Sequence, residues 1–259
     1  MSRAESRPPD SGDSAVQLSV IVPFLDEEDA LPEFVETLRR ALDQTGRLYE
    51  VLFVDDGSTD GGTAWINELC NQSWRQAKLI RLARNFGHMQ ALTAGLDASR
   101  GEWIASLDAD LQHPPELIGQ LLALAEETES PVAQAVRVSR RGDRVGKRLA
   151  AQGYYAAARR FGGVKTPANV ADFRVIHRAV ADQLRALPER TRVCRLLLPW
   201  LGYKTAYLEY EAAPRSKGTT KYSFARMLHL AFSSITAFST APLRLATAIG
   251  ALVGLIGII

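Results

Sequence analysis

Hydrophobic and polar positions follow one another along the chain in blocks that predict strands and helices in turn. Leu18–Phe24 is a continuous apolar run, which is typical of a strand buried on both faces of a parallel sheet. Asp29–Thr45 places apolar residues at helical spacing and is closed by Gly46. The next predicted elements are strands at Tyr49–Val54, Lys78–Leu82, Glu102–Leu107 and Val132–Val138, and helices from Ser58 or Thr59 to Ser73, at His88–Ser99 and from Pro114 to Glu129. This alternation predicts an α/β fold with a Rossmann-like, mostly parallel sheet.

The pattern becomes less regular beyond Val138. Its further predicted elements are helices at Gly146–Phe161 and Ala179–Leu187 and strands at Asp172–Ile176 and Tyr203–Glu211. Tyr222–Ser239 carries an apolar stripe at helical spacing, which predicts an amphipathic helix. Leu245–Ile259 has no charged residue. Because a membrane span needs about 20 apolar residues, this segment predicts the start of an incomplete transmembrane helix.

The net charge of the chain hides strong local charge. It is only +2, from 31 Lys and Arg against 29 Asp and Glu, which argues against a nucleic-acid binder. Glu102–Glu129, however, holds seven acids and no Lys or Arg, whereas Arg137–Lys165 holds nine bases and one acid. Each run taken alone is equally well explained as a solvated face. Together, an acidic block followed by a basic one indicates a site for a cation and phosphates.

Three acidic turns come directly after predicted strands. The first is Asp26–Glu28, the second contains Asp55 and Asp56, and the third contains Asp108 and Asp110. Ligands of open α/β sheets bind at the carboxyl ends of the strands, where these turns would meet. Capping of a helix is the alternative explanation for the second turn. Carboxylates at the third turn suit Mg²⁺ or Mn²⁺, which typically uses one or two of them together with substrate phosphates.

Several other chemistries are excluded by motif. The sequence contains no Gly-x-Gly-x-x-Gly after the first strand, no Gly-Lys-Ser/Thr phosphate loop and no Gly-x-Ser-x-Gly elbow. The four histidines are scattered without zinc-ligand spacing, so we expect each to be an ordinary structural or surface residue. They are His88, His113, His177 and His229.

Eight motifs occur in a fixed order: VPFLDEE, VDDGSTDG, RNFGHMQALTAGL, DADLQHPPEL, ADFRVI, LPER, LPWLGYK and GTTKYS. In this combination the chain resembles family-2 glycosyltransferases of the polyisoprenyl-phosphate group, from about residue 18 to about residue 250. That group includes dolichol-phosphate mannose synthases and bacterial undecaprenyl-phosphate glucosyltransferases. The resemblance implies a GT-A type fold and inverting transfer of a sugar to a polyprenyl phosphate. The expected donor is UDP-glucose, the expected acceptor is undecaprenyl phosphate, and the product would serve surface-glycan modification.

The resemblance also implies roles for individual residues. Those expected to line the nucleotide are Pro23, Leu25, Glu27, Asp56 and Asp108. Those expected to hold Mg²⁺ or Mn²⁺ are Asp108, Asp110 and Gln112. Those expected to meet phosphates of donor or acceptor are Arg137, Arg140, Arg215 and Lys221, with Val138–Gly146 as a mobile acceptor loop. Asp172 matches the family's catalytic base; the alternative is that it orients Arg174 or a sugar hydroxyl.

The expected domain organisation places the active site at a membrane. It comprises a disordered tail (1–17), the GT-A catalytic domain (18–215), a juxtamembrane amphipathic helix (216–241) and the start of a transmembrane helix (242–259). Basic residues that flank the apolar end, including Arg244, place the catalytic domain on the cytoplasmic side. The expected partners are a nucleotide-sugar, a polyprenyl phosphate, the membrane and a second copy of the chain, but no nucleic acid.

Three alternative functions stay open at the level of sequence. In the first alternative, the donor is GDP-mannose or another UDP-sugar, with a polyprenyl or dolichyl phosphate as acceptor. A second alternative is a soluble glycosyltransferase for a sugar or protein acceptor, which the apolar end and the basic segments oppose. The third is an inactive membrane-bound binding or scaffold protein, which the intact acidic motifs oppose.

Overall fold

A computed structural model describes residues 16–138, 170–188 and 194–211, and the single positions 247, 250 and 257. Its strands are β1 (Leu18–Phe24), β2 (Tyr49–Asp55), β3 (Ala77–Arg81), β4 (Trp103–Ser106), β5 (Val132–Arg137), β6 (Val170–His177) and β7 (Thr205–Tyr210). Its helices are α1 (Leu31–Gln44), α2 (Gly62–Gln72), α3 (His88–Ala98), α4 (Leu117–Glu127), α5 (Arg178–Ala186) and α6 (Cys194–Leu201).

These strands form one sheet in the order β3-β2-β1-β4-β6-β5-β7. Strands β1 to β4 run parallel to one another, and β5 runs parallel to β7, whereas β6 runs antiparallel to both β4 and β5. The predicted mostly parallel α/β sheet is therefore confirmed. The reversed strand matters for function, because β6 begins at the edge where its neighbours end.

Helices cover both faces of the sheet. Apolar residues of α1, α2 and α4 form one cluster with Leu18, Val20 and Val22 of β1. Residues of α3, α5 and α6 form a second cluster with Ile21 on the opposite face. Successive side chains of a strand point to opposite faces, so β1 needs apolar residues at both sets of positions. This explains why Leu18–Phe24 is entirely buried and apolar at every position except Ser19.

Helix α3 packs against β1 unusually closely, at Gly95. A Cβ atom at this position would lie 2.3 Å from Cγ2 of Ile21 and 3.2 Å from Cγ2 of Val54. Only glycine fits this approach without a shift of the helix or of the sheet. The contact fixes the height of α3 above the sheet and, with it, the position of His88 at its first turn.

Most predicted elements within the described residues are confirmed to within a few residues, but two differ. The second helix begins at Gly62 and is not capped by Ser58 or Thr59. Those two residues bind the turn after β1 instead, as described below. Helix α6 was not predicted, and it contains Pro199.

Several expectations lie outside the described residues and stay predictions. They are the tail up to residue 15, the loop beyond Val138, the helices at Gly146–Phe161 and Tyr222–Ser239, and the apolar segment at Leu245–Ile259, apart from its isolated described positions. Within the part of the chain that the structure describes, no helix has both the length and the apolar character needed to cross a membrane.

Candidate active site

The turns after β1 and β2 are bonded to each other and form one wall at the carboxyl edge of the sheet. The Asp26 N–H donates to Oγ of Ser58 at 3.0 Å, and the Thr59 N–H donates to Oδ1 of Asp26 at 2.7 Å. Asp26 adopts a left-handed backbone conformation with φ of 50°. Of the predicted nucleotide-lining residues, Pro23 is buried in β1, and Leu25 and Glu27 are half-buried in this wall.

Asp56 connects the same wall to the start of α3. Its side chain is buried, and its carboxylate accepts the N–H of Phe86 at 2.8 Å and the N–H of Gly87 at 3.0 Å. Asp56 therefore holds the two residues that precede α3, whereas neither α2 nor α3 receives a side-chain cap, so the capping interpretation of this turn was wrong. Gly57 permits the approach, since a Cβ there would lie 2.5 Å from the carbonyl carbon of Arg84.

The turn after β4 is preformed around the two predicted metal ligands. The Asp108 N–H donates to Nδ1 of His113 at 3.2 Å. Asp110 accepts the backbone N–H of Gln112 at 3.1 Å and its side-chain Nε2 at 2.9 Å. Leu111 adopts a left-handed conformation with φ of 58°, which lets the chain reverse between these contacts. The turn follows directly on β4, which pairs with β1, so it lies beside the wall formed by the turns after β1 and β2.

Two histidines flank the carboxylate of Asp108. Nε2 of His88 lies 3.5 Å from Oδ1, and Nδ1 of His113 lies 3.7 Å from Oδ2. The prediction that both are ordinary structural or surface residues missed these contacts. His113 has a visible signal in its position five residues after Asp108, within the same turn. His88 has none, because its approach depends on the order of strands in the sheet.

Asp172 lies near the start of β6, and its carboxylate contacts the guanidinium of Arg174. The Arg174 side chain is 3% exposed, and its Nε and Nη1 have no hydrogen-bond partner among the described residues. Ser106 of β4 pairs with Arg174 of β6 in the antiparallel register, so Asp172, two residues before Arg174, lies at the edge toward which β4 continues to Asp108. The reversed strand thereby brings the predicted base to the same edge as the acidic turn.

Tyr210, at the end of β7, marks the far side of the site. Burial raises the pKa of its hydroxyl to about 12; nearby Arg137 opposes this, and Asp108 and Asp110 add to it. Arg137, a predicted phosphate-binding residue, is exposed at the end of β5. Sequence reasoning missed Tyr210. The other predicted phosphate-binding residues, Arg140, Arg215 and Lys221, lie outside the described residues.

The residues of the β4 turn fit a divalent cation that is shared with a substrate. Within the described part of the chain, no three His, Cys, Asp or Glu side chains form a metal-binding group. Asp108 is about one-third exposed, and Asp110 offers a second carboxylate two residues later in the same turn. Mg²⁺ typically takes one or two carboxylates and completes its shell with phosphate oxygens and water. A pair of carboxylates in one turn is therefore an adequate protein contribution.

Comparison with known proteins gives concordant results. The family model for glycosyl transferase family 2 matches residues 19–185. A prophage bactoprenol glucosyl transferase homologue of Escherichia coli (strain K12) is 35% identical, over 94% of this chain and 79% of that protein. An undecaprenyl-phosphate 4-deoxy-4-formamido-L-arabinose transferase of Proteus mirabilis is 31% identical, over 93% of this chain and 73% of that protein.

A solved structure shares the fold. It is glucosyl-3-phosphoglycerate synthase from Mycobacterium tuberculosis in complex with Mn²⁺, UDP and glucosyl-3-phosphoglycerate. The two superpose with a TM-score of 0.61 at 16% identity, over 86% of this chain and 80% of that chain. With its GT-A type architecture and acidic carboxyl edge, the chain belongs to glycosyl transferase family 2 and is a glycosyltransferase.

Proposed function

We propose that the protein transfers glucose from UDP-glucose to undecaprenyl phosphate, with inversion at the anomeric carbon. The observation that carries the proposal is the convergence of Asp56, the Asp108–Asp110 turn, Asp172 and Arg137 at one edge of the sheet. Two relatives whose names specify bactoprenol or undecaprenyl phosphate support the lipid acceptor. The GT-A structure that holds UDP and Mn²⁺ supports the nucleotide and the cation.

The nucleotide would bind against the wall formed by the first two turns. Pro23, Leu25, Glu27 and Asp56 would enclose the base and the ribose, with Asp108 at the diphosphate end. The bonds between the two turns hold this wall in place before any ligand arrives. Such preorganisation lowers the cost of ordering the site on binding.

Asp108, Asp110 and Gln112 would hold Mg²⁺ or Mn²⁺ next to the diphosphate. When bound, the cation supplies positive charge that stabilises the nucleoside diphosphate as it leaves. The Gln112 side chain already bonds to Asp110, so the amide orients that carboxylate.

The transfer forms one bond and breaks one. A phosphate oxygen of the lipid attacks the anomeric carbon while the bond from that carbon to the UDP oxygen breaks, and the electron pair leaves with UDP. Arg137, together with Arg140, Arg215 and Lys221, would hold the phosphates of donor and acceptor. Asp172 would take the proton from an acceptor phosphate that arrives singly charged. Positioning and charge stabilisation supply the remaining acceleration.

The membrane assignment follows from the acceptor. A polyprenyl tail lies in the bilayer, so the site would work at the cytoplasmic face of the cytoplasmic membrane. The predicted amphipathic helix at Tyr222–Ser239 and the apolar segment at Leu245–Ile259 would keep it there. The same proposal includes association of this chain into a homo-oligomer.

The test is a lipid-extraction assay on the full chain in membranes. Radiolabelled UDP-glucose, UDP-N-acetylglucosamine, UDP-galactose and GDP-mannose are each offered with undecaprenyl phosphate, with and without Mn²⁺ or Mg²⁺. We expect organic-soluble label from UDP-glucose only in the presence of a divalent cation. Label from one of the other donors alone would replace glucose by that donor's sugar in the proposal. Label only in a water-soluble acceptor would overturn the lipid assignment. Absence of both transfer and cation-dependent nucleotide binding would favour the inactive binding protein.

Asp108→Ala should abolish cation-dependent transfer in this assay, because it removes a carboxylate from the proposed metal site. The matched control is Glu102→Ala, which removes an exposed carboxylate just before β4, at the opposite edge of the sheet. We expect the control to retain activity close to that of the unmodified protein. Full activity of Asp108→Ala would refute the metal assignment.

A further inference from the structure

We propose that His113 is a positioning residue that joins the donor side of the active site to its acceptor side. One ring nitrogen holds the backbone of Asp108, while the ring itself packs against β6 and β7. The inference rests on the proposed function, since it takes Asp108 as a donor-site residue and Asp172 as an acceptor-site residue.

The first contact is a hydrogen bond to ring nitrogen Nδ1. Nδ1 lies 3.2 Å from the Asp108 backbone nitrogen and 3.7 Å from Oδ2 of the same residue. Only the shorter of these is a hydrogen-bond distance, and in that bond the Asp108 N–H donates to Nδ1. An acceptor at this position closes the turn that presents Asp108 and Asp110.

The second contact is made by the faces and edges of three buried rings. The centroid of His113 lies 5.5 Å from that of Phe173 and 6.3 Å from that of Tyr210, and Phe173 and Tyr210 are 6.5 Å apart. All three residues are buried. These separations are those of stacked and edge-on aromatic pairs, which add to the stability gained by burial.

Phe173 connects this cluster to the predicted base. It lies directly between Asp172 and Arg174 in β6, so a shift of its ring displaces the backbone that carries both. A movement of His113 would accordingly disturb Asp108 through one contact and Asp172 through the other. Misplacement of a reacting group by about 1 Å can cost about a hundredfold in rate.

Two substitutions separate the contacts. His113→Asn keeps an acceptor near the position of Nδ1 but removes the ring. His113→Phe keeps a ring of similar size but leaves the Asp108 N–H without its acceptor. Cation-dependent UDP binding reports the donor side, and kcat at saturating donor reports the acceptor side.

We expect His113→Phe to weaken UDP binding in Mn²⁺ by about tenfold, the effect of leaving a buried N–H unpaired. We expect His113→Asn to bind UDP within about threefold of the unmodified protein but to lose about tenfold or more in kcat through misplacement of the acceptor strand.

His177 provides the matched control. Its Nδ1 also accepts a backbone N–H, from Ala179 at 3.2 Å, and its ring packs edge-on against Trp103. It lies at the opposite edge of the sheet, since it pairs with the first residue of β4. His177→Asn and His177→Phe should therefore alter the melting temperature without changing UDP affinity or kcat.

The proposal is overturned if His113→Phe binds UDP normally, or if both His113 variants lose UDP affinity and kcat only in proportion to their melting temperatures. Failure of the proposed function is a separate result, because it appears in the unmodified protein as an absence of lipid-linked sugar. UDP affinity is still measured in that case, so the donor-side contact is tested without transfer.

Discussion

A buried guanidinium and a carboxylate occupy alternate positions of β6 on the same face of the sheet. Arg174 is held in the interior with two nitrogens lacking a partner among the described residues, which is costly unless a fixed negative charge lies beside it. Asp172 supplies that charge. The pair thus holds a carboxylate in one orientation at the edge where an acceptor phosphate would arrive.

Replacement of Asp172 by Asn should lower kcat in a pH-dependent way. A phosphate monoester has a second pKa near 6, so at pH 8 the lipid phosphate is already doubly charged and needs no base. We expect a loss of about a hundredfold or more at pH 5.5, the scale of general-base catalysis, and a smaller loss at pH 8. Steady-state kinetics across this range provides the measurement.

Asp182→Asn breaks an exposed Asp–Arg pair on α5 and should leave the pH profile unchanged. An equal loss for Asp172→Asn at both pH values would instead assign Asp172 to orientation of Arg174 or of a sugar hydroxyl.

At the scale of elements, the close packing of α3 on β1 makes a sharp prediction about two helical glycines. Gly95→Ala should destabilise the protein by about 1–3 kcal/mol, because its Cβ would overlap with Ile21. It should also weaken nucleotide binding, since α3 begins directly after Phe86 and Gly87, whose N–H groups Asp56 accepts. In α4, the Cβ introduced by Gly119→Ala would contact only Cγ2 of Thr45, at 4.0 Å. This substitution should stabilise the protein by about 0.5–1 kcal/mol.

Chemical denaturation and UDP titration of the two variants test this pair. Equal stability of Gly95→Ala and the unmodified protein would show that α3 can move away from the sheet without cost. A loss of stability in Gly119→Ala would show that the space around α4 is smaller than the structure indicates.

The elements that sequence predicts well are those whose signal is local. Leu18–Phe24 is predicted to the residue because all but one of its positions are apolar, and Asp108 and Asp110 stand out because they follow a buried strand. The predicted start of α2 was wrong because Ser58 and Thr59 form hydrogen bonds with Asp26, which lies 32 and 33 residues away in the sequence. Helix α6 was missed because a proline inside a helical pattern ordinarily marks the end of a helix.

Contacts that depend on strand order were beyond the reach of sequence patterns. The direction of β6 leaves no mark in its composition, yet it brings Asp172 and Phe173 to the acidic turn. The ring of Tyr210 belongs to the site for the same reason, since β7 pairs in parallel with β5.

At the scale of the whole molecule, the two edges of the sheet hold their acids in different ways. The carboxyl edge presents acidic turns around the proposed substrate site. The amino edge buries Glu50, which accepts hydrogen bonds from Ser19 at 2.8 Å, from Lys78 at 3.1 Å and from both the backbone and side chain of Arg100. These partners come from β1, from β3 and from the second residue after the end of α3. Glu50 thus connects distant parts of the chain without approaching the site.

Glu50→Gln should separate stability from activity. Burial acts to raise the pKa of Glu50, but its hydrogen bonds and the charge of Lys78 outweigh burial, so the pKa lies below its ordinary value of 4.5. The ionised carboxylate therefore stabilises the fold above about pH 4.5, and this stabilisation is lost as the pH falls through the lowered pKa. We expect Glu50→Gln to unfold about 1–3 kcal/mol more easily at pH 7 and to show a weaker acid dependence of its melting temperature.

Glu36→Gln, which removes an exposed carboxylate on α1, should change stability by less than about 0.5 kcal/mol. Because Glu50 lies at the amino edge, Glu50→Gln should retain its transfer activity and UDP affinity at temperatures where it is folded. His113→Phe should behave in the opposite way, with weakened UDP binding that its melting temperature does not explain. If Glu50→Gln lost activity while still folded, the two edges would be coupled, and stability and substrate binding could not be assigned to separate edges of the sheet.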